Sequence, residues 1–336
     1  MTAKERAINF IQGKTVDRIP FHPLVMQYAA QKTNTLLSDY YLDYKAHCNA
    51  MITFSRKYGM DCTHASGYPY CEAEAYGLNV TYPSDDLPFA REYLIKNFSE
   101  DINKIRHLNI QSHKSMMNRI HCISLNNELV GDELFICGHV EGPFAEYCDL
   151  RGTTEAFMDM YDYDEQLLNA FQIITDNSKN WIDMQIQAGC HCIDIGEAVC
   201  SQISEDMYIE KIYPFHKQLI KHIHSRGVFA KFHICGDSSR VIPHLINAKA
   251  NIIDVDSLVK NIVPIITTLG ENQVLCGNIH PVDVIKNGTP QEIDAHVKNI
   301  IDTTQRKCII AAGCEIPKDT PEENYKAFYE ATINYS

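Results

Sequence analysis

The run Val228-Phe229-Ala230-Lys231-Phe232-His233-Ile234, followed by Cys235 and Gly236, is apolar except at Lys231 and His233. A short apolar run closed by a glycine reads as a strand of a buried sheet. Seven further runs of this kind occur: Arg18–Val25, Asp61–Ala65, Leu134–Val140, Cys190–Ile195, Asn251–Val255, Gln273–Cys276 and Cys308–Ala312. Longer stretches with helical spacing lie between them. Glu165–Ala188 carries Leu167, Leu168, Phe171, Ile174, Trp181 and Ile182 on one face. Met207–Arg226 and Gln291–Arg306 behave alike, the second behind the helix-start pair Thr289-Pro290. Strands alternating with helices predict a parallel sheet, and eight strands is the number that closes a (β/α)8 TIM barrel. The chain is expected to be one barrel domain over residues 1–336. Residues 66–130 exceed a single crossover. Their Tyr/Pro-rich stretches, Gly67-Tyr68-Pro69-Tyr70 and YGLNVTYPSDDLP (76–88), predict an insertion with a hairpin after the second strand. Residues 1–15 are expected to form an extra helix beneath the barrel.

Composition narrows the function. In 336 residues, 30 Lys and Arg face 43 Asp and Glu, a net charge of -13 that repels phosphate backbones and argues against nucleic-acid binding. No apolar run approaches the roughly 18 residues that a membrane helix needs. The polar start MTAKER is no signal peptide, so a cytoplasmic protein is expected. Thirteen cysteines, an odd number in a chain this long, then predict reduced thiols, mostly serving as small buried hydrophobes.

A barrel of this kind places its chemistry at the C-terminal ends of its strands. Read in order, those ends carry His22, His64, His139 with Glu141, Asp194 with Glu197, His233 with Cys235, Asp256, Asn278 with His280, and Cys314. A lone histidine at such a place is more often a packing residue than a ligand. The pattern His-x-Cys is expected about 0.6 times by chance in a chain of this composition, so its position carries the signal. On a strand, residues i and i+2 point to one side, so His233 and Cys235 can reach one ion. Cys314 follows Gly313 just beyond the eighth strand. Two thiolates and an imidazole suit Zn²⁺ and leave its fourth position open, the catalytic rather than the structural arrangement. A pair of buried thiols beside a core histidine is the competing interpretation. Cys190-His191-Cys192 offers the same i, i+2 geometry, but at the start of a strand.

Several segments, in this order, resemble the uroporphyrinogen decarboxylase superfamily: Val16-Asp17-Arg18-Ile19-Pro20, Gly142-Pro143-Phe144, Asp254-Val255-Asp256, Cys276-Gly277-Asn278-Ile279-His280-Pro281, and Gly313-Cys314-Glu315-Ile316-Pro317 with Thr320-Pro321-Glu322-Glu323-Asn324. The departures point within it. The stretch after the first strand, Phe21–Tyr28, holds no arginine to meet a porphyrinogen's carboxylates. Cys314 and His280 stand where the family's motifs carry His and Asp. His233, Cys235 and Cys314 fall on the His-x-Cys…Cys positions at which the superfamily's cobalamin-dependent, methylcobalamin:coenzyme M type methyltransferases bind zinc. That resemblance implies methyl transfer between a corrinoid, borne on a small carrier protein, and a thiol or methylated small molecule. Decarboxylation of a uroporphyrinogen-like substrate is the alternative. Glu197 aligns with a pocket acid and is expected as a fourth ligand or proton carrier, or equally as an acid that caps the next helix or pairs with a surface base. Asp256 is expected to orient His233, with His22, His139 and Asn278 as pocket walls.

Overall fold

In the computed structural model, which describes residues 1–65 and 70–336, seven strands form one all-parallel sheet. They are β1 (Cys62–His64), β4 (Phe135–Glu141), β5 (Cys192–Gly196), β6 (Phe229–Ile234), β7 (Ile252–Val255), β8 (Val274–Ile279) and β9 (Cys308–Ala312), paired in chain order. Between β1 and β4, β2 (Val80–Thr81) and β3 (Phe89–Ala90) form a separate antiparallel ribbon. The expected features at Gly67-Tyr68-Pro69 lie outside the described residues.

Parallel neighbours need a crossover, and helices supply it. Lys114–Val130 leads into β4, Asp164–Ala188 into β5, Tyr213–Ser225 into β6 and Pro290–Thr303 into β9. The last begins where its sequence dictates, with Thr289 and Glu292 forming a reciprocal capping box ahead of Pro290. Asp164–Ala188 ends on Gly189, whose φ of 107° is a left-handed value that glycine adopts without a Cβ penalty.

The segment Arg18–Val25, expected as a full strand, is instead a single bridge between Phe21 and Ile310. Pro20 and Pro23 bracket it and lack the N–H groups that would continue a ladder. The short contact still joins both edges of the sheet. On one side the His22 N–H donates to the Ile310 carbonyl at 3.0 Å and the Ile310 N–H to that of Pro20 at 3.0 Å; on the other the Asp61 N–H donates to Phe21 at 3.0 Å. The sheet is therefore curled, as a TIM-like barrel. Asp61, fully buried just before β1, fixes this junction: it accepts from the Phe21 N–H at 2.8 Å, pairs with Arg18 at 2.6 Å, and is also paired with Arg6. Arg6 lies on the helix Ala3–Ile11.

Register determines what shares a layer. Glu141, Gly196, His233, Asp254 and Cys276 are successive partners across β4 to β8. One layer below lie His139, Asp194 and Lys231. Register partners in a parallel sheet face the same side, so the two layers together gather acids and imidazoles around the buried Lys231.

Candidate metal centre

His233 is the penultimate residue of β6, Cys235 follows β6, and Cys314 lies two residues beyond β9. In a flat sheet β6 and β9 would stand three spacings apart, about 14 Å. Here one donor atom from each of the three residues lies within 4.8 Å of the other two. The His233 Nε2 to Cys235 Sγ distance is 3.3 Å. Curling of the sheet brings the strand ends together, and Gly313 permits the close pass of the segment that carries Cys314. A Cβ at position 313 would stand 2.2 Å from the Ser257 nitrogen, so only glycine lets the chain after β9 pass this close to the end of β7. Cys235 and Cys314 are also the only cysteines of the thirteen that are not buried.

The electrostatics leave the trio charged. Cys314 is drawn down to about 5, chiefly by a hydrogen bond from the Cys235 thiol and further by His233, against the opposing effect of burial. His233 is raised to about 10: burial, the largest single influence, opposes this, but Asp254 and Cys314 together outweigh it. The Cys235 thiol is pushed upward by Cys314 and by burial. Without metal the site holds a thiolate, an imidazolium and a thiol. A metal ion would replace the two protons.

Asp256, expected behind His233, is engaged elsewhere. Its Oδ2 accepts from the Gly236 N–H at 2.9 Å and its Oδ1 from the Leu258 N–H at 2.9 Å, which fixes the turn that carries Cys235. The carboxylate facing the imidazole is Asp254, its Oδ2 lying 3.7 Å from Nδ1, an ion-pair distance rather than a hydrogen bond. Asp254 is in turn held by the buried Lys231 at 2.7 Å, which also meets Asp194 at 3.2 Å.

Glu197 is fully buried and does not join the trio. Its Oε1 accepts from the Ala145 N–H at 2.6 Å, capping the helix Pro143–Arg151, and its Oε2 meets His216 Nε2 at 2.7 Å. With Cys200 these two form a second metal-capable group among the described residues, fully buried and joined by that Glu197–His216 hydrogen bond.

His22 sits inside the barrel stacked on Phe135, its pKa pushed well below normal by burial and then by His64. His139 is half-buried, with Nε2 3.2 Å from Glu141. The Asn278 amide donates to the Val259 carbonyl at 2.9 Å. His280 caps the turn after β8, accepting from the Val282 and Asp283 N–H groups. In the rival Cys190-His191-Cys192 segment, His191 Nδ1 accepts from the Ile136 N–H at 3.0 Å and both thiols are buried. A groove of about 840 Å³ lies against Phe10–Val16 and Leu269–Val274, at the opposite ends of the strands from these donors.

A family model described as uroporphyrinogen decarboxylase (URO-D) matches residues 2–335. The methylcobamide:CoM methyltransferase MtbA of Methanosarcina mazei is 26% identical over 271 residues, covering 79% of this chain and 77% of its own length. The protein of the same name from Methanosarcina acetivorans is 24% identical over 343 residues, covering 99% of this chain and 98% of its own. A solved methyltransferase from Methanosarcina mazei superposes with a TM-score of 0.85 at 19% identity, covering 100% of this chain and 99% of that one. Among the described residues no helix is long and apolar enough to cross a membrane.

Proposed function

The chain belongs to the uroporphyrinogen decarboxylase family, and we propose that within it the protein is a zinc-dependent methyltransferase moving a methyl group between a corrinoid and a thiol or methylated small molecule. The observation that carries this reading is the convergence of His233, Cys235 and Cys314, whose donor atoms lie within 4.8 Å of one another at the C-terminal ends of the strands. The relatives named as methylcobamide:CoM methyltransferases support the reaction class.

The donor set fits zinc: one imidazole and two sulfurs, partly open to solvent, with a fourth position for substrate. Zinc held there supplies Lewis acidity that lowers the pKa of a bound thiol, so that a thiolate exists at neutral pH. The chain's own residues prepare the site. Asp254 faces Nδ1 of His233, which leaves Nε2 toward the sulfurs. Lys231 holds Asp254 anionic while neutralising part of the buried charge. Asp256 fixes the Cys235 turn through the Gly236 N–H.

The corrinoid is a substrate carried on a small partner protein that docks at the strand ends. We read residues 1–336 as one barrel, with Ala3–Ile11 and residues 66–130 as its additions, working in the cytoplasm where thiols stay reduced. Decarboxylation of uroporphyrinogen is the weaker reading, because Phe21–Tyr28 holds no arginine for its carboxylates.

Two assays test the proposal together. Protein purified without chelator is expected to hold about one equivalent of zinc, and on addition of a thiol to demethylate methylcobalamin. Zinc below half an equivalent that Cys314→Ser does not change would remove its basis. Coproporphyrin formed from uroporphyrinogen would favour the alternative.

A further inference from the structure

Resting on the methyl-transfer reading, the geometry points to a small-molecule substrate that bears a cationic ammonium group, an aminothiol or its methyl thioether, rather than an anionic one. Glu141, Gly196 and His233 are register partners on adjacent strands. The Glu141 backbone therefore lies two strand spacings, about 10 Å, from that of His233 on the same side of the sheet. Gly196 stands between them without a side chain, and the His139 ring and the Glu141 carboxylate occupy the space over it. A Cβ there would stand 2.9 Å from the His139 ring and 3.2 Å from Glu141 Oε2.

Glu141 is the first of four acids. Glu72 accepts from the Glu141 N–H at 2.9 Å. Glu146 and Asp149 follow on the helix Pro143–Arg151, three residues apart and so on one face. Glu72 is 6% exposed and Glu146 1%. Both Glu146 carboxyl oxygens are buried without a hydrogen-bond partner among the described residues. Burial and then mutual repulsion raise Glu72 to about 7, and Glu146 and Asp149 likewise upward.

The cations in reach are already engaged. His139 pairs with Glu141, Lys231 with Asp194 and Asp254, and Arg119 donates to the Ala65 carbonyl. A buried carboxylate without a partner is unfavourable, and an ammonium group with three N–H donors relieves it. A sulfonate or carboxylate placed there would set a negative charge beside acids that burial and mutual repulsion already keep from ionising together.

Calorimetry on the zinc-loaded protein with 2-aminoethanethiol, 2-mercaptoethanol and 2-mercaptoethanesulfonate tests this. Affinity is expected to fall in that order, with at least about tenfold between amine and sulfonate. Glu146→Gln and, independently, Glu141→Gln should each narrow that ratio, so one poorly folding variant leaves the other to decide. Equal affinities, or preference for the sulfonate, would overturn the charge assignment and leave the methyltransferase reading intact. Methyl transfer from methylcobalamin to none of the three would instead count against that reading, while the binding order would still decide the ligand's charge.

Discussion

Substituting Gly313 with alanine probes how the fold makes the metal centre without touching a ligand. A Cβ at this position would stand 2.2 Å from the Ser257 nitrogen, 2.9 Å from the Asp256 carbonyl carbon and 3.0 Å from the Ser257 Cα. All three atoms are backbone, so no side chain can rotate aside. Ordinary contact begins near 3.4 Å, so the two segments must separate by about 1 Å, an overpacking that costs roughly 1–3 kcal/mol. Cys314 is the next residue and moves with the chain. Metal–ligand distances tolerate only about 0.2 Å, so zinc affinity should fall by about 10–100-fold, the range seen when a ligand's support is lost. Competition with a chromophoric chelator measures the affinity, and thermal denaturation of the metal-free protein measures the packing cost. Wild-type zinc affinity together with an unchanged melting temperature would refute the argument that Gly313 sets the approach of Cys314.

Zinc binding must displace a proton from His233, raised to about 10, and one from Cys235. Affinity should therefore rise with pH between about 6 and 9, with about two protons released, as read by calorimetry in buffers of different ionisation enthalpy. In Asp254→Asn the imidazole loses the larger of the two influences that raise it and keeps that of Cys314, so the release should drop by up to about one proton; an unchanged count would exclude Asp254 as the main cause. Asp61→Asn leaves Arg6 and Arg18 without their shared buried carboxylate and should destabilise the fold by about 3–5 kcal/mol, visible as a large shift of the urea midpoint. Cys192→Ser, in the rival segment, should leave zinc stoichiometry at the wild-type value while Cys314→Ser lowers it; the reverse would move the metal to the other end of the sheet.

Much of the sheet is legible because its strands are buried on both faces and so read as mainly apolar runs, broken only by the polar residues that face the barrel interior. Cys308–Ala312 has the same bounds in sequence and structure, and Val228–Ile234 differs by one residue. The first strand is shorter than its sequence suggests: apolar character runs through Arg18–Val25, but the prolines within it limit pairing to a bridge. The triad residues could be placed on one rim because strand parity and barrel order are local rules. The carboxylate behind His233 is Asp254 rather than the expected Asp256, two residues away, since the two share parity and only the pairing of His233 with Asp254 separates them. For Glu197 the sequence offers a helix cap as one reading but not which helix it caps. Its partners are the N–H of Ala145 and a histidine on the helix Tyr213–Ser225, contacts fixed by tertiary packing with no mark in the local sequence.

X-ray absorption at the zinc edge tests the central claim most directly. The account predicts two sulfurs at about 2.3 Å and one imidazole nitrogen at about 2.0 Å around zinc, with a third sulfur on addition of a thiol. A sulfur-free coordination sphere, or one that a thiol leaves unchanged, would contradict it.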